Sequence, residues 1–121
     1  MPEILALDDQ HLLVLERAVL IRNGGRMETR VRLYLMELSG ATDVLAVERL
    51  ADADFKPARK SLLLDFADLK LEHLDMLEGM AWGPKLDSGK RSLLLVSDDN
   101  FDQFRQGQVT QLLLLETPFR E

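Results

Sequence analysis

The stretch Thr29-Arg-Val-Arg-Leu-Tyr-Leu-Met-Glu-Leu38 decides the fold class. Val31, Leu33 and Leu35 fall on one face, and Arg30, Arg32, Tyr34 and Met36 on the other. A period of two marks a strand, because successive side chains point to opposite sides of a sheet. The same grammar recurs on either side of it. Glu3 to Leu7 is a short apolar run, Asp8-Asp9-Gln10 a turn, and His11 to Glu16 a second strand. Arg22-Asn-Gly-Gly-Arg26 is a loop whose glycines can take positive φ. Further strands are predicted over Lys60 to Asp65, Glu78 to Trp82 (closed by Gly83-Pro84), Arg91 to Ser97 and Gln108 to Glu116. Ser39 to Arg59 reads as a surface excursion or a short helical turn, and Phe66 to Leu77 as a short helix or an irregular link.

A repeat lies under this pattern. Each half holds a short strand led by a glutamate, a turn, an apolar strand, a Gly-containing loop and a strand rich in leucine. Glu3 corresponds to Glu78, Leu12 to Leu93 and Glu37 to Glu116. The first half has a fourth strand, Lys60 to Asp65; the second stops after three. Antiparallel units of about four strands are the blades of β-propellers. The expectation is an all-β chain of about two antiparallel propeller blades, the second lacking its outer strand. It is read as one partial domain over residues 1–121, with units at about 2–66 and 74–118 and a link at 67–73.

Composition narrows the function classes. The chain has 121 residues, enough for one domain, with 46% apolar and 30% charged residues. It has no cysteine, which excludes disulfides, zinc–thiolate sites and a cysteine nucleophile. Its 15 Lys and Arg against 21 Asp and Glu give a net charge of −6, which argues against a general nucleic-acid binder. No apolar run approaches the roughly 20 residues of a membrane helix. Met1-Pro-Glu-Ile4 has neither the basic start nor the apolar stretch of a signal peptide. Two blades would leave an apolar flank and an unpaired edge, so self-association through the open side is expected.

Several motifs occur together in order: Leu13-Val-Leu-Glu-Arg17, Arg32-Leu-Tyr-Leu35, Ser39-Gly-Ala-Thr-Asp-Val44, Lys60-Ser-Leu-Leu-Leu-Asp65, Leu74-Asp-Met-Leu-Glu-Gly-Met-Ala81, Gly83-Pro84 and Lys90-Arg-Ser-Leu-Leu-Leu-Val-Ser-Asp-Asp-Asn-Phe101. This set closely resembles the C-terminal part of the phytase-like family with esterase-like activity. The resemblance implies a β-propeller longer than this chain, of which these residues form the last two blades. It also implies hydrolysis of a small phosphoester or ester, and a periplasmic or extracellular setting for the full-length proteins. One departure is Met76, where the family pattern has an asparagine two places before the Glu-Gly glutamate. The alternatives are a non-catalytic interaction module and a truncated product with no independent activity.

Blade geometry then groups the polar residues. Strand pairing places Glu78 on one rim with Asp98, Asp99 and Asn100, and Glu3 with Glu16 and Arg17. Hard cations such as Ca²⁺ take six to eight oxygen ligands, so Glu78, Asp98, Asp99 and Asn100 are the candidate metal ligands. Arg17 is the candidate substrate-binding residue, as an anion partner. The competing readings are turn chemistry for Asp98 to Asn100 and a local Glu16–Arg17 ion pair. His11 and His73 read as surface and link residues, and Trp82 as packing. Ser39, Ser61, Ser88, Ser92 and Ser97 lack a nucleophile-elbow motif.

Overall fold

The computed structural model describes residues 2–102 and 107–120. Its strands are β1 (Glu3–Ala6), β2 (His11–Ile21), β3 (Met27–Glu37), β4 (Arg59–Asp65), β5 (Leu77–Lys85), β6 (Lys90–Ser97) and β7 (Leu112–Arg120). They form two antiparallel sheets, a four-stranded one in the order β1-β2-β3-β4 and a three-stranded one in the order β5-β6-β7. The all-β class and the two unequal meanders agree with the sequence pattern. The only helical pieces among the described residues are 3-10 turns at Leu50–Asp52, Phe66–Leu69 and Asn100–Asp102.

The period-two pattern sets the packing. In the first sheet Leu13 lies opposite Leu35, and Leu15 opposite Leu33. In the second, Met80 lies opposite Leu95, and Leu93 opposite both Trp82 and Leu115. Directly opposed residues share a face, so each sheet presents one leucine-rich side. These two sides meet in one core of Leu13, Leu15, Val31, Leu33, Phe66, Leu77, Met80, Leu93 and Leu95. At about 25 cal/mol per Å² of apolar surface removed from water, this shared core is the main force holding the sheets together.

Most strand boundaries move from the sequence expectation, β7 also running on to Arg120 instead of ending at Glu116, and three of the shifts have a clear cause. β2 runs on to Ile21, because Ala18 to Ile21 pairs with Met27 to Arg30 although it is largely exposed. Gly83-Pro84 does not end β5; it forms a bulge between the Trp82–Leu93 and Lys85–Arg91 pairs. A Cβ on Gly83 would sit 2.5 Å from the Ser92 hydroxyl oxygen, so the bulge requires a glycine there. β7 begins at Leu112 rather than Gln108, because the Val109 amide donates to the Asp75 carboxylate and the Gln111 amide to the Ser97 hydroxyl instead of to a β6 carbonyl. Part of the polar loop expected up to Gly107, residues 103–106, lies outside the described residues. The excursion expected over Ser39 to Arg59 ends at Ala58, where β4 takes over, and among the described residues it holds only the 3-10 turn named above.

Candidate functional site

Arg17 follows Leu13 and Leu15 along β2 at the same parity, and it lies opposite Val31. It therefore stands on the side of the first sheet that faces the second, just beyond the core. Glu78 is the unpaired residue of a bulge in β5, since Leu77 lies opposite Ser97 and Gly79 opposite Val96. A bulge re-aims a side chain that regular pairing would point elsewhere. The two residues meet: Arg17 Nη1 donates to Glu78 Oε1, joining the sheets. The pair is accessible, with side-chain exposures of 26% and 38%. The expected local Glu16–Arg17 ion pair is not formed, because neighbours in a strand point to opposite faces. Glu16 instead accepts from Lys60 Nζ on the outward face, where Lys60 also lies 4.5 Å over the Tyr34 ring.

The acidic loop after β6 is placed at the end of the sheet where β5 begins. Glu78, Asp98, Asp99 and Asn100 thus share that end, as the pairing of Leu77 with Ser97 requires. Their carboxylates are engaged differently. Asp98 Oδ1 accepts the Asn100 amide at 2.8 Å, and Asp99 Oδ1 accepts the Phe101 amide at 2.9 Å. These two Asx turns hold Asn100 (φ 48°) and Phe101 (φ 54°) in the left-handed region. Among the described residues no three of His, Asp and Glu are grouped as a metal ion needs. The donor types suit calcium; Glu78 is held by Arg17, and the two aspartates by turn amides.

Two buried carboxylates organise the surroundings, and sequence reading overlooked both. Asp65 accepts from Arg32 Nε at 2.9 Å, from Arg30 Nη2 at 3.1 Å and from the Ala67 amide at 3.2 Å. The Arg32 guanidinium, with the Ala67 amide and Arg30, holds its carboxyl below the usual range against the cost of burial. Asp75 accepts the Val109 and Met76 amides, each at 2.7 Å, and His73 Nε2 lies 3.3 Å away. Burial alone would raise the Asp75 carboxyl; the two amides and His73 outweigh it and the net direction is down. The signal was available for Asp65, a strand-ending aspartate just ahead of a turn. For Asp75 no local pattern announces amide donors from residue 109.

The remaining candidates are structural. Ser97 is buried, with its hydroxyl donating to Val109 O at 2.8 Å and accepting from Gln111 N at 2.7 Å. His11 Nδ1 sits 2.8 Å from Asp8 at the β1–β2 turn. Trp82 Nε1 donates to Ala6 O at 2.9 Å, and the Arg91 guanidinium lies 3.6 Å from the Trp82 ring centre. This indole stitches the end of β1 to β5.

The comparison that decides the family is a family-model match. The model described as "Phytase-like: Esterase-like activity of phytase" matches residues 1–101. The chain belongs to the phytase-like family. The matched span contains both Arg17 and Glu78 and the Asp98–Asn100 turn, and it ends before β7. No curated protein and no solved structure gives a significant match.

Proposed function

We propose that this phytase-like chain supplies an anion-holding rim to a protein that hydrolyses a small ester or phosphoester. The observation that carries the reading is the Arg17–Glu78 pair: two sheets, one of them bulged for the purpose, bring an accessible guanidinium and its carboxylate to a common rim. Glu78 takes Nη1 and fixes the fork. The guanidinium has further N–H donors in one plane, which match two oxygens of a phosphate or carboxylate. Arg17 is then the substrate-binding residue and Glu78 its positioning residue; no nucleophile is assigned. The two sheets act here as neighbouring blades of a propeller-type assembly, a role supported by their shared core and matching meanders.

Calcium is a separate proposal: weak binding by Glu78, Asp98, Asp99 and Asn100. It requires Glu78 to leave Arg17, and no step of the binding scheme depends on it. Identical Ca²⁺ titrations of the wild type and Glu78→Gln would reduce the acidic loop to turn chemistry.

Hydrolysis of p-nitrophenyl phosphate and p-nitrophenyl acetate tests the main reading. Arg17→Ala should raise KM for the phosphate by about tenfold or more, with Arg17→Lys between it and the wild type. Unchanged kinetics in Arg17→Ala would overturn the assignment. Absence of turnover with either ester would favour a second reading, an interaction module, for which the exposed Val96, Leu112 and Leu114 on one sheet face speak.

A further inference from the structure

We propose that β7 is a recruiting edge that pairs with β7 of a second copy of this chain. The internal comparison motivates it. β3 carries β4 on its outer side, whereas β7 carries no strand there among the described residues. Ser97 N donates to Gln111 O at 2.9 Å, which fixes the alternation of the ladder. Residues 111, 113 and 115 turn their peptide groups to β6; Leu112, Leu114 and Glu116 turn theirs to the open side. Leu112 and Leu114 are 69% and 55% exposed. Beside this edge lies an apolar hollow of about 350 Å³ between β4 and β7, lined by Leu33, Leu63, Leu64, Leu69, Leu115 and Phe119 among others. It is continuous with the core through Leu33.

The charge pattern selects the occupant. Gln111 to Leu115 carries no charge. The competing edge, β4, opens with Arg59-Lys60 and ends in Asp65, and charged edges resist pairing. β1 is only four residues long and lies against β5. Pairing must keep the exposed leucines on one face, so only registers with even shifts are allowed. In the register that sets Leu113 opposite its twin, Leu112 faces Leu114 of the other copy in both directions. Glu116 then lies opposite Thr110 rather than opposite another Glu116. Pro118, which has no N–H to give, ends the usable edge. The exchange is symmetric about a two-fold axis and closes at a dimer.

The full chain has no cysteine, so a single introduced thiol reads the register directly. Residue 113 would face its twin in a non-hydrogen-bonded pair, with Cα atoms ~4.5 Å apart, inside the range a disulfide spans. Under mild oxidation Leu113→Cys should form a covalent dimer, while Ile21→Cys, on the exposed β2–β3 hairpin, should stay monomeric. Sedimentation at roughly 1–100 µM, where open edges associate, should show a wild-type dimer. Leu114→Lys, with an unchanged circular dichroism spectrum, should weaken that dimer by about tenfold or more. A wild-type monomer across that range would overturn the proposal, as would association untouched by Leu114→Lys or equal cross-linking of the two cysteine variants.

Discussion

The outward faces of the two sheets differ because of one strand. On the four-stranded sheet, β4 brings Lys60 to Glu16 and Tyr34, and Asp65 to Arg30 and Arg32. Five polar partners and an aromatic ring thereby gather on that face, and Val14 beneath is fully buried, although Ile4 and Leu62 beside it stay about half exposed. Among the described residues no fourth strand delivers such partners to the three-stranded sheet, and Val96, Leu112 and Leu114 stand exposed. The inner faces, by contrast, are alike and share one core. An outer strand therefore does two jobs: it satisfies a ladder edge, and it brings the charges that make a blade face presentable to water.

The largest effect should come from the shared core. Leu15→Ala and Leu93→Ala each remove a fully buried side chain, one from each sheet. Each should cost about 2–5 kcal/mol, against less than about 0.5 kcal/mol for the exposed Ile21→Ala. Urea unfolding followed by fluorescence and circular dichroism should give one transition in all three. Two separated transitions would break the comparison, since each sheet would then be stable alone.

Two glycines sharpen it next. Gly83 lies in the β5 bulge with Ser92 Oγ 2.5 Å from its would-be Cβ, while Gly24 has open space but φ of +87°. Gly83→Asn should destabilise by about 1–3 kcal/mol through overpacking. Gly24→Asn should cost only a few tenths, because asparagine tolerates positive φ. Equal costs at the two sites would mean that the bulge relaxes.

Acid should act on both sheets through Asp65 and Asp75. Both carboxyls are depressed in the folded state, so each contributes stability that is complete above about pH 4, the unfolded value. That contribution is lost as pH falls through the lower folded value. Asp65→Asn should flatten the acid limb of the melting temperature through the first sheet, and Asp75→Asn through the second. An acid limb unchanged in both variants would contradict the assigned hydrogen bonds. A smaller effect belongs to Arg91→Ala, expected to cost about 0.5–1 kcal/mol and to shift the emission of the single tryptophan to the red.

The sheets were legible because alternation is a local property. Thr29 to Leu38 and Arg91 to Ser97 state their faces in adjacent residues, and the three strands of the second meander could be read in order. Bulges were not legible. Gly83-Pro84 looks like a terminator, and only the opposing Leu93 and Arg91 show that the ladder resumes beyond it. For the site, Arg17 and Glu78 were chosen separately, one as an anion partner and one as a metal ligand. Their pairing depends on two sheets packing face to face across 61 residues of chain, which no spacing encodes. Asp75 was missed for the same reason, since its amide donor at Val109 is 34 residues away.

The central claim is that the Arg17–Glu78 rim binds an oxyanion, and titration calorimetry with inorganic phosphate tests it most directly. The wild type should bind with a heat that Arg17→Ala abolishes, and Arg17→Lys should weaken it. Glu78→Ala should keep the charge of Arg17 and lose part of the affinity by releasing the fork. Phosphate binding of equal strength in the wild type and Arg17→Ala, or none in the wild type, would contradict the account.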